Sequence, residues 1–402
     1  MNYYYEIVMK EKSTIMKTRR ELFDYLEEQM NKTYRQVLGT KRLESESTFV
    51  KTFLLEFDWE QSGKNKRDTN LLVDSLTLPT TSKRKKECKP DISETHEDGF
   101  YKVTWNRTKG KIKIYLDTSS DVDRRFWIAY SLSDAAELDV LLDGLSKTQT
   151  AFDRVWLWPE YLFKTQEKGE FRGIGLDYDY RQFEKEERKT ESTNYFKMQV
   201  WGGKETKQIL EYIKNEFPKK TVLSKIRMKY WFNENSEDMF ALEDIKYNGK
   251  FTTRGTSFSN HQTLVSNVRC EYSKKIKEME NNHIIRWDDN DNTVELKGDP
   301  IFFNIDEPIE NLEAFCKVVF SGSLPFRLWG VPQKINGNDG LMVPTVDLHT
   351  GSNLSFEIFN DLICMYLYPG ACGNTIARFF TNLQHYYGCI VKAFDIDGNS
   401  VF

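Results

Sequence analysis

The chain has 402 residues, enough for two or three domains, and its 29% charged and 39% hydrophobic residues exclude a globally disordered protein. The formal net charge of −4 excludes a uniformly basic surface, so binding of nucleic acid would require a local cationic patch. No stretch approaches the roughly 18 apolar residues of a membrane span, and the first residues lack the pattern of an export signal.

The chain contains six scattered cysteines and no CxxC pair. In a chain that carries no export signal, such cysteines are most simply reduced thiols. We therefore expect a cytoplasmic protein with no membrane association, and no zinc site is expected.

Residues 1–98 are predicted to form a helix-and-strand region that ends in a polar linker. Thr18 and Glu21 have the spacing of a capping box, and Gly39 is placed to end the helix that they begin. Large apolar side chains alternate over residues 53–59, which predicts a strand. The cationic run at 83–86 favours a solvated loop over an anion-binding patch.

Residues 99–298 are predicted to form a middle α+β domain. Its clearest local signal is Asn248-Gly249, which lies between two strand patterns and favours a two-residue hairpin turn. Such a turn pairs Glu243 with Arg254 across the two strands. A long helix is predicted over residues 260–281, with Ser259 as its N-cap.

A strand predicted over residues 225–232 carries the candidate nucleic-acid-binding face. Alternation places Lys225, Arg227, Lys229 and Trp231 on one side of this strand. The hairpin adds two nearby cations, Lys250 and Arg254. Cations neutralise phosphates and an aromatic ring can stack on a base, so this face is suited to single-stranded nucleic acid. The alternative interpretation is an ordinary solvated sheet face whose lysines prevent aggregation.

Residues 299–402 are predicted to form a C-terminal α/β domain with the approximate order α-β-ββ-β-α-β. Its hairpin has a loop at Gly351-Ser352-Asn353, and the loop length decides which residues share a face. A two-residue loop mixes polar and apolar side chains on one face. A three-residue loop places Asp347 opposite Glu357 and groups both carboxylates with His349. Because register follows the hydrophobic pattern, the second arrangement is expected.

Two opposed carboxylates repel each other unless a cation or a proton separates them. A divalent ion such as Mg²⁺ or Mn²⁺ would serve, with Asp347 and Glu357 as its ligands and His349 as a base or third ligand. The order of elements resembles the core of restriction-type nucleases, in which a hairpin carries an acid and then an E-x-K motif. The chain has Phe359 where that lysine belongs, a departure from the pattern.

Cys372 is a second, weaker candidate for chemistry. It lies in a glycine-rich turn before a helix predicted over residues 374–387. The N-terminus of a helix lowers the pKa of a thiol, which would favour a nucleophile with His349 as its base. The alternative is a small buried thiol in a tight turn.

The sequence thus predicts an α+β protein of several domains, with mixed sheets and flanking helices. For function we expect a recognition protein that binds nucleic acid or a protein partner through aromatic and basic surfaces. The alternative is a metal-dependent phosphodiester hydrolase with its site on the C-terminal hairpin.

Overall fold

A computed structural model describes most of the chain. The described residues are 16–39, 49–58, 69–79, 88–107, 110–119, 124–184, 195–203, 205–218, 221–232, 238–290, 293–335, 337, 339–388 and 390–402. The cationic run at 83–86 lies outside them. None of the described helices is long and apolar enough to cross a membrane.

Eight α-helices fall within the described residues. They are α1 (Arg19–Gly39), α2 (Thr69–Ser75), α3 (Ala135–Thr148), α4 (Pro159–Thr165), α5 (Glu205–Glu216), α6 (Phe258–His283), α7 (Leu312–Val319) and α8 (Gly373–Tyr386). The predicted first helix is confirmed, and the Thr18 hydroxyl accepts a hydrogen bond from the Glu21 amide at its start. The long helix begins two residues earlier than predicted, because Ser257 rather than Ser259 is the N-cap.

An antiparallel sheet of eleven strands dominates the molecule. Its strands are β1 (Val50–Phe57), β2 (Pro90–Glu94), β3 (Phe100–Arg107), β4 (Gly110–Asp117), β5 (Phe126–Ser131), β6 (Phe152–Arg154), β7 (Glu170–Asp179), β8 (Tyr195–Trp201), β9 (Leu223–Tyr230), β10 (Ala241–Lys246) and β11 (Lys250–Gly255). The spatial order is β2-β3-β4-β5-β1-β11-β10-β9-β7-β8, and β6 pairs with the end of β1 on the edge that also pairs with β11.

A two-stranded ribbon and a second large sheet contain the remaining strands. The ribbon consists of β12 (Arg286–Asn290) and β13 (Thr293–Lys297). The seven-stranded sheet contains β14 (Ile301–Ile305), β15 (Leu328–Gly330), β16 (Gln333–Lys334), β17 (Leu341–Asp347), β18 (Asn353–Ile358), β19 (Leu362–Leu367) and β20 (Val391–Phe394). Its order is β15-β17-β18-β19-β14-β20, with β16 paired to β17. The predicted α+β class is confirmed.

The two predicted boundaries lie at different places relative to the two large sheets. The boundary at residue 298 falls between the ribbon and the second sheet. The boundary at residue 98 falls inside the first sheet, because β1 lies in its centre between β5 and β11. The first two predicted parts therefore share one sheet.

Two apolar cores lie on opposite faces of the first sheet. One face of β1, with Phe53 and Leu55, packs under α2 and α3 in the smaller core. The opposite face packs on α1, α6 and the second sheet in a core that runs through the whole molecule. Because antiparallel neighbours share their inward and outward positions, the same parity extends from β1 across β11, β10, β9 and β7.

The hairpin between β10 and β11 differs from its predicted register by one residue. Glu243 pairs with Thr253, and Arg254 pairs with Leu242, so the predicted Glu243–Arg254 pair is wrong. The connection is three residues long, and Gly249 takes the left-handed conformation at φ +71°. Glu243 points into the core, where Thr253 and His261 bond its carboxylate. The buried partners of Glu243 therefore set this register.

Candidate functional site

A buried ionic network lies where the first sheet meets β17 and α8. Glu56 and Asp153 are direct partners on β1 and β6, and both are fully buried. Asp347, at the end of β17, is also fully buried. Three carboxylates without solvent need compensating cations, because an isolated buried charge is costly.

Arg378 of α8 joins two of these carboxylates. Its guanidinium donates to Asp153 and, at 2.5 Å, to Asp347, while its Nε donates to the Phe326 carbonyl at 2.9 Å. Burial alone would raise the pKa values of Asp153 and Asp347, but Arg378 holds both below their usual range. Both carboxylates are therefore ionised in the folded protein.

Arg327 adds a third point of attachment between the two sheets. Its Nη1 donates to the Phe152 carbonyl at 2.7 Å and lies 3.7 Å from Asp153. Its Nη2 donates to the carbonyls of Gln149 and Leu348. Arg327 thus connects the β6 segment to the loop that follows β17.

Glu56, His349 and Cys372 form a compact triangle beside this network. Their ligand atoms all lie within 4.8 Å of one another, and all three side chains are buried. The Cys372 sulfur lies 3.4 Å from Glu56 Oε1, and His349 Nε2 lies 3.7 Å from Glu56 Oε2. Neither ring nitrogen of His349 has a hydrogen-bond partner within the described residues.

Arg125 separates this triangle from solvent. Its Nε donates to Glu56 at 2.6 Å, and its Nη2 donates to the Cys372 sulfur at 3.2 Å. Its Nη1 and Nη2 each donate one hydrogen bond to Glu280 of α6. Burial raises the pKa of Glu56 to about 7 despite the opposing Arg125, and burial lowers the pKa of His349 to about 4. His349 is therefore a neutral imidazole at neutral pH.

The predicted pairing of Asp347 with Glu357 is wrong. Glu357 pairs with Met342, and Val346 pairs with Asn353, so Asp347 and Glu357 lie on opposite faces of the sheet. Met342, the partner of Glu357, lies five residues before Asp347 on β17. The two carboxylates are therefore separated by about 17 Å along the strand direction at the usual rise per residue. Glu357 accepts a hydrogen bond from Tyr366 instead. The predicted Mg²⁺ or Mn²⁺ site on these two carboxylates has no geometric basis.

Arg378 explains this register. Asp347 shares a buried face with Leu354 and Phe356, the mixture of polar and apolar side chains that the hydrophobic pattern disfavours. A carboxylate on that face is tolerated because Arg378 and Thr375 of α8 bond it. The partner lies 31 residues away in the sequence and carries no local signal at the hairpin.

The expected lowering of the Cys372 pKa is also wrong. Cys372 is the N-cap residue of α8, as the turn pattern suggested. Burial, together with the Glu56 carboxylate, raises the pKa of this thiol well above its ordinary value. The arrangement brings His349 close to Cys372, as predicted, but the buried thiol is not an activated nucleophile.

The predicted sorting of side chains on β9 is confirmed. Lys225, Arg227 and Lys229 point to one side, while the residues between them are buried. Arg227 and Lys225 both bond Asp244 of β10, at distances of 2.7 Å and 3.3 Å. Trp231 follows on the same side, with its ring centroid 5.4 Å from the Lys229 ammonium.

Trp201 of β8 extends this surface and was not predicted. Gly173 lies between Trp201 and Arg227 in the sheet and leaves room for the indole, which a Cβ at Gly173 would meet at 2.5 Å. The Arg227 guanidinium lies 3.8 Å from the ring centroid, and the Lys225 ammonium lies 4.6 Å away. Trp201 is 39% exposed, which leaves part of the ring open to solvent.

We name the outward side of β7–β11 the cationic face. Its charged residues are Lys197, Lys225, Arg227, Lys229, Lys246 and Arg254, together with the acids Glu170, Asp177, Asp179 and Asp244. Lys250 has the same parity but is covered by α3, where Asp139 bonds it at 2.7 Å. Its predicted role in binding is therefore not supported.

The family model described as MJECL33-like protein matches residues 9–398 of the chain. The chain belongs to this family. It is also similar to the uncharacterized protein MJECL33 of Methanocaldococcus jannaschii, with 27% identity over 407 aligned residues that cover 92% of each chain.

The MJECL33-like match spans both large sheets. It therefore includes the cationic face and the triangle of Glu56, His349 and Cys372. The sequence alone did not single out Glu56, Arg125 or Arg378 as site residues. One signal was present at Glu56, which is an acid within the apolar run FLLEF at residues 53–57. No local pattern marks the two arginines, whose partners lie far away in the chain.

Proposed function

We propose that this protein binds single-stranded nucleic acid on the cationic face. The observation that carries the proposal is the row Lys225, Arg227, Lys229 and Trp231 along β9, flanked by Trp201. The row is about 20 Å long at the usual strand rise, which is sufficient for a few nucleotides. Phosphates would lie on the cations, and bases would stack on the two indoles.

The charge of this face supports an anionic ligand. Its six cations outnumber its four carboxylates, although the whole chain has a net charge of −4. No carboxylate lies within ion-pair distance of Lys229, Lys246 or Arg254 in the described part of the chain. Burial lowers the pKa of Lys225, and the nearby cations Arg227 and Lys246 lower it further, although Asp244 acts in the opposite direction. A phosphate at this position would relieve that repulsion.

Exposed rings favour a single strand over a duplex. Trp201 is 39% exposed, and Trp231 is accessible in part. In a duplex the base faces are already stacked on each other, so these rings would have nothing to stack on. A single strand offers both phosphates and base faces.

Five free cysteines among the described residues agree with a cytoplasmic, reducing location.

The proposal is tested by measuring binding of a fluorescently labelled oligothymidine by anisotropy at several salt concentrations. We expect the logarithm of the association constant to fall with the logarithm of salt concentration, with a slope of about −3 for roughly four neutralised phosphates. The double variant Lys225→Glu and Lys229→Glu should bind about tenfold more weakly or worse, because repulsion replaces two attractions.

A matched control is the double variant Lys111→Glu and Lys113→Glu. These lysines are exposed on β4 of the same sheet, far from β9 in the strand order, and the charge change is identical. This control should bind like the natural protein. The proposal fails if the natural protein shows no salt-dependent binding, or if both double variants lose affinity equally.

The variant Trp201→Ala separates stacking from charge. We expect a loss of about tenfold in affinity, since stacking of one base on an aromatic ring contributes roughly 1–3 kcal/mol. The salt slope should stay unchanged, because no cation is removed. Titrations at two salt concentrations check both parts. Unchanged affinity would show that the ring does not contact a base.

A further inference from the structure

We infer that Glu56, His349 and Cys372 form a binding site for a zinc ion, with one oxygen, one nitrogen and one sulfur ligand. Their ligand atoms lie within 4.8 Å of one another and come from β1, the loop after β17 and the start of α8. Zn²⁺ binds imidazole, thiolate and carboxylate in a tetrahedral arrangement, and three protein ligands leave one position for another group. Because the three ligands are far apart in the sequence, they do not form a CxxC pattern.

His349 supplies the observation that separates this cluster from an ordinary buried ionic network. The ring is fully buried, yet neither nitrogen has a hydrogen-bond partner in the described part of the chain. A buried polar group is almost always satisfied, so an orphaned imidazole needs an explanation. A metal ion bound to Nε2, the nitrogen that faces Glu56 at 3.7 Å, satisfies one of the two nitrogens.

The surrounding hydrogen bonds fit a metal site. Arg125 donates to Glu56 Oε1 and to the Cys372 sulfur, which orients both ligands and leaves Glu56 Oε2 facing His349. Donors to ligand atoms of this kind commonly hold metal ligands in place. An N–H donor to sulfur also favours the thiolate form that a metal requires.

The buried charges balance when a divalent ion is present. With Glu56 ionised, as a metal ligand must be, the carboxylates Glu56, Asp153, Asp347 and Glu280 exceed the guanidiniums Arg125, Arg327 and Arg378 by one negative charge. Binding of Zn²⁺ releases the Cys372 thiol proton to solvent and forms the metal–sulfur bond, which adds two positive charges and one negative charge. The sum over these groups is then zero.

The test uses the full chain after dialysis against a chelator. We expect one Zn²⁺ or one Co²⁺ to bind per chain, with a thiolate-to-cobalt absorption band in the near ultraviolet and a higher melting temperature with metal. Cys372→Ser and His349→Gln should each weaken binding by about a hundredfold or more. Cys316→Ser is the matched control, since Cys316 is a buried thiol outside the triangle, and it should bind like the natural protein.

The inference is overturned if the natural protein binds neither ion at one per chain. It is also overturned if Cys372→Ser and His349→Gln bind the ions as tightly as Cys316→Ser does. Should the two ligand variants fail to fold, the cobalt spectrum of the natural protein still decides. A cobalt complex without the thiolate band would exclude Cys372 as a ligand.

Discussion

Replacing Arg378 with methionine should lower the free energy of unfolding by about 3–5 kcal/mol. The guanidinium is fully buried and donates to Asp153, Asp347 and the Phe326 carbonyl. Methionine fills a similar volume but leaves two ionised carboxylates without their main cation. Urea unfolding at neutral pH, followed by circular dichroism, measures the change.

Two further variants show whether charge causes this loss. Arg181→Met removes an arginine that donates two bonds to Asp179 on the surface, and it should change the stability little. Adding Asp153→Asn and Asp347→Asn to Arg378→Met should recover part of the loss, because neutral amides need no cation. If Arg378→Met matched Arg181→Met in its urea midpoint, the network would not hold the two sheets together.

This network also shows how far the sequence predicts the fold. Alternation identified the inward and outward residues of β9, and capping signals identified α1. Both are local patterns that one strand or one helix turn contains in full. The fold class followed from such patterns, since they distinguish strands from helices along the chain.

Contacts between distant residues account for the errors. The hydrophobic pattern predicted the wrong register for the β17–β18 hairpin, because Arg378 makes a buried position acceptable to Asp347. The β10–β11 hairpin differs by one residue, with Glu243 held in the core by His261. In each case a charged side chain faces inward against its own propensity. The inward position becomes favourable only because a distant partner, Arg378 or His261, lies next to the carboxylate in the folded protein, and the sequence does not show this proximity.

The candidate site shows the same difference between local patterns, which the sequence reveals, and contacts between distant residues, which it does not. Asp347 and His349 were predicted to share a site with Glu357, and His349 was separately considered as a base for Cys372. The structure places His349 beside both Asp347 and Cys372. Glu357 does not join them. Glu56 and Arg125, which complete the triangle and its hydrogen bonds, come from the opposite end of the chain. A site assembled from separate sheets is visible in sequence only as isolated polar residues in apolar runs.

His385 should make the protein less stable in acid, by about 2 kcal/mol at pH 5 and about 3 kcal/mol near pH 4. The ring is buried, stacks on Tyr247 at 4.0 Å, and its Nδ1–H donates to the Asp177 carbonyl at 2.8 Å. Burial lowers its pKa to about 4, although Asp177 opposes this. The unfolded chain takes up the proton below pH 6.5 and the folded chain does not, so stability falls between pH 6.5 and pH 4.

The comparison of His385→Gln with the natural protein isolates this effect. Glutamine can still donate to the Asp177 carbonyl but does not titrate, so the variant should lose about 2 kcal/mol less than the natural protein between pH 7.5 and pH 5. His96→Gln, at an exposed histidine, is the control and should follow the natural protein. Chelator-treated protein is required, because burial also lowers the pKa of His349 to about 4 and a bound metal would alter its protonation. Parallel pH profiles for the natural protein and His385→Gln would show that His385 takes up its proton equally in both states.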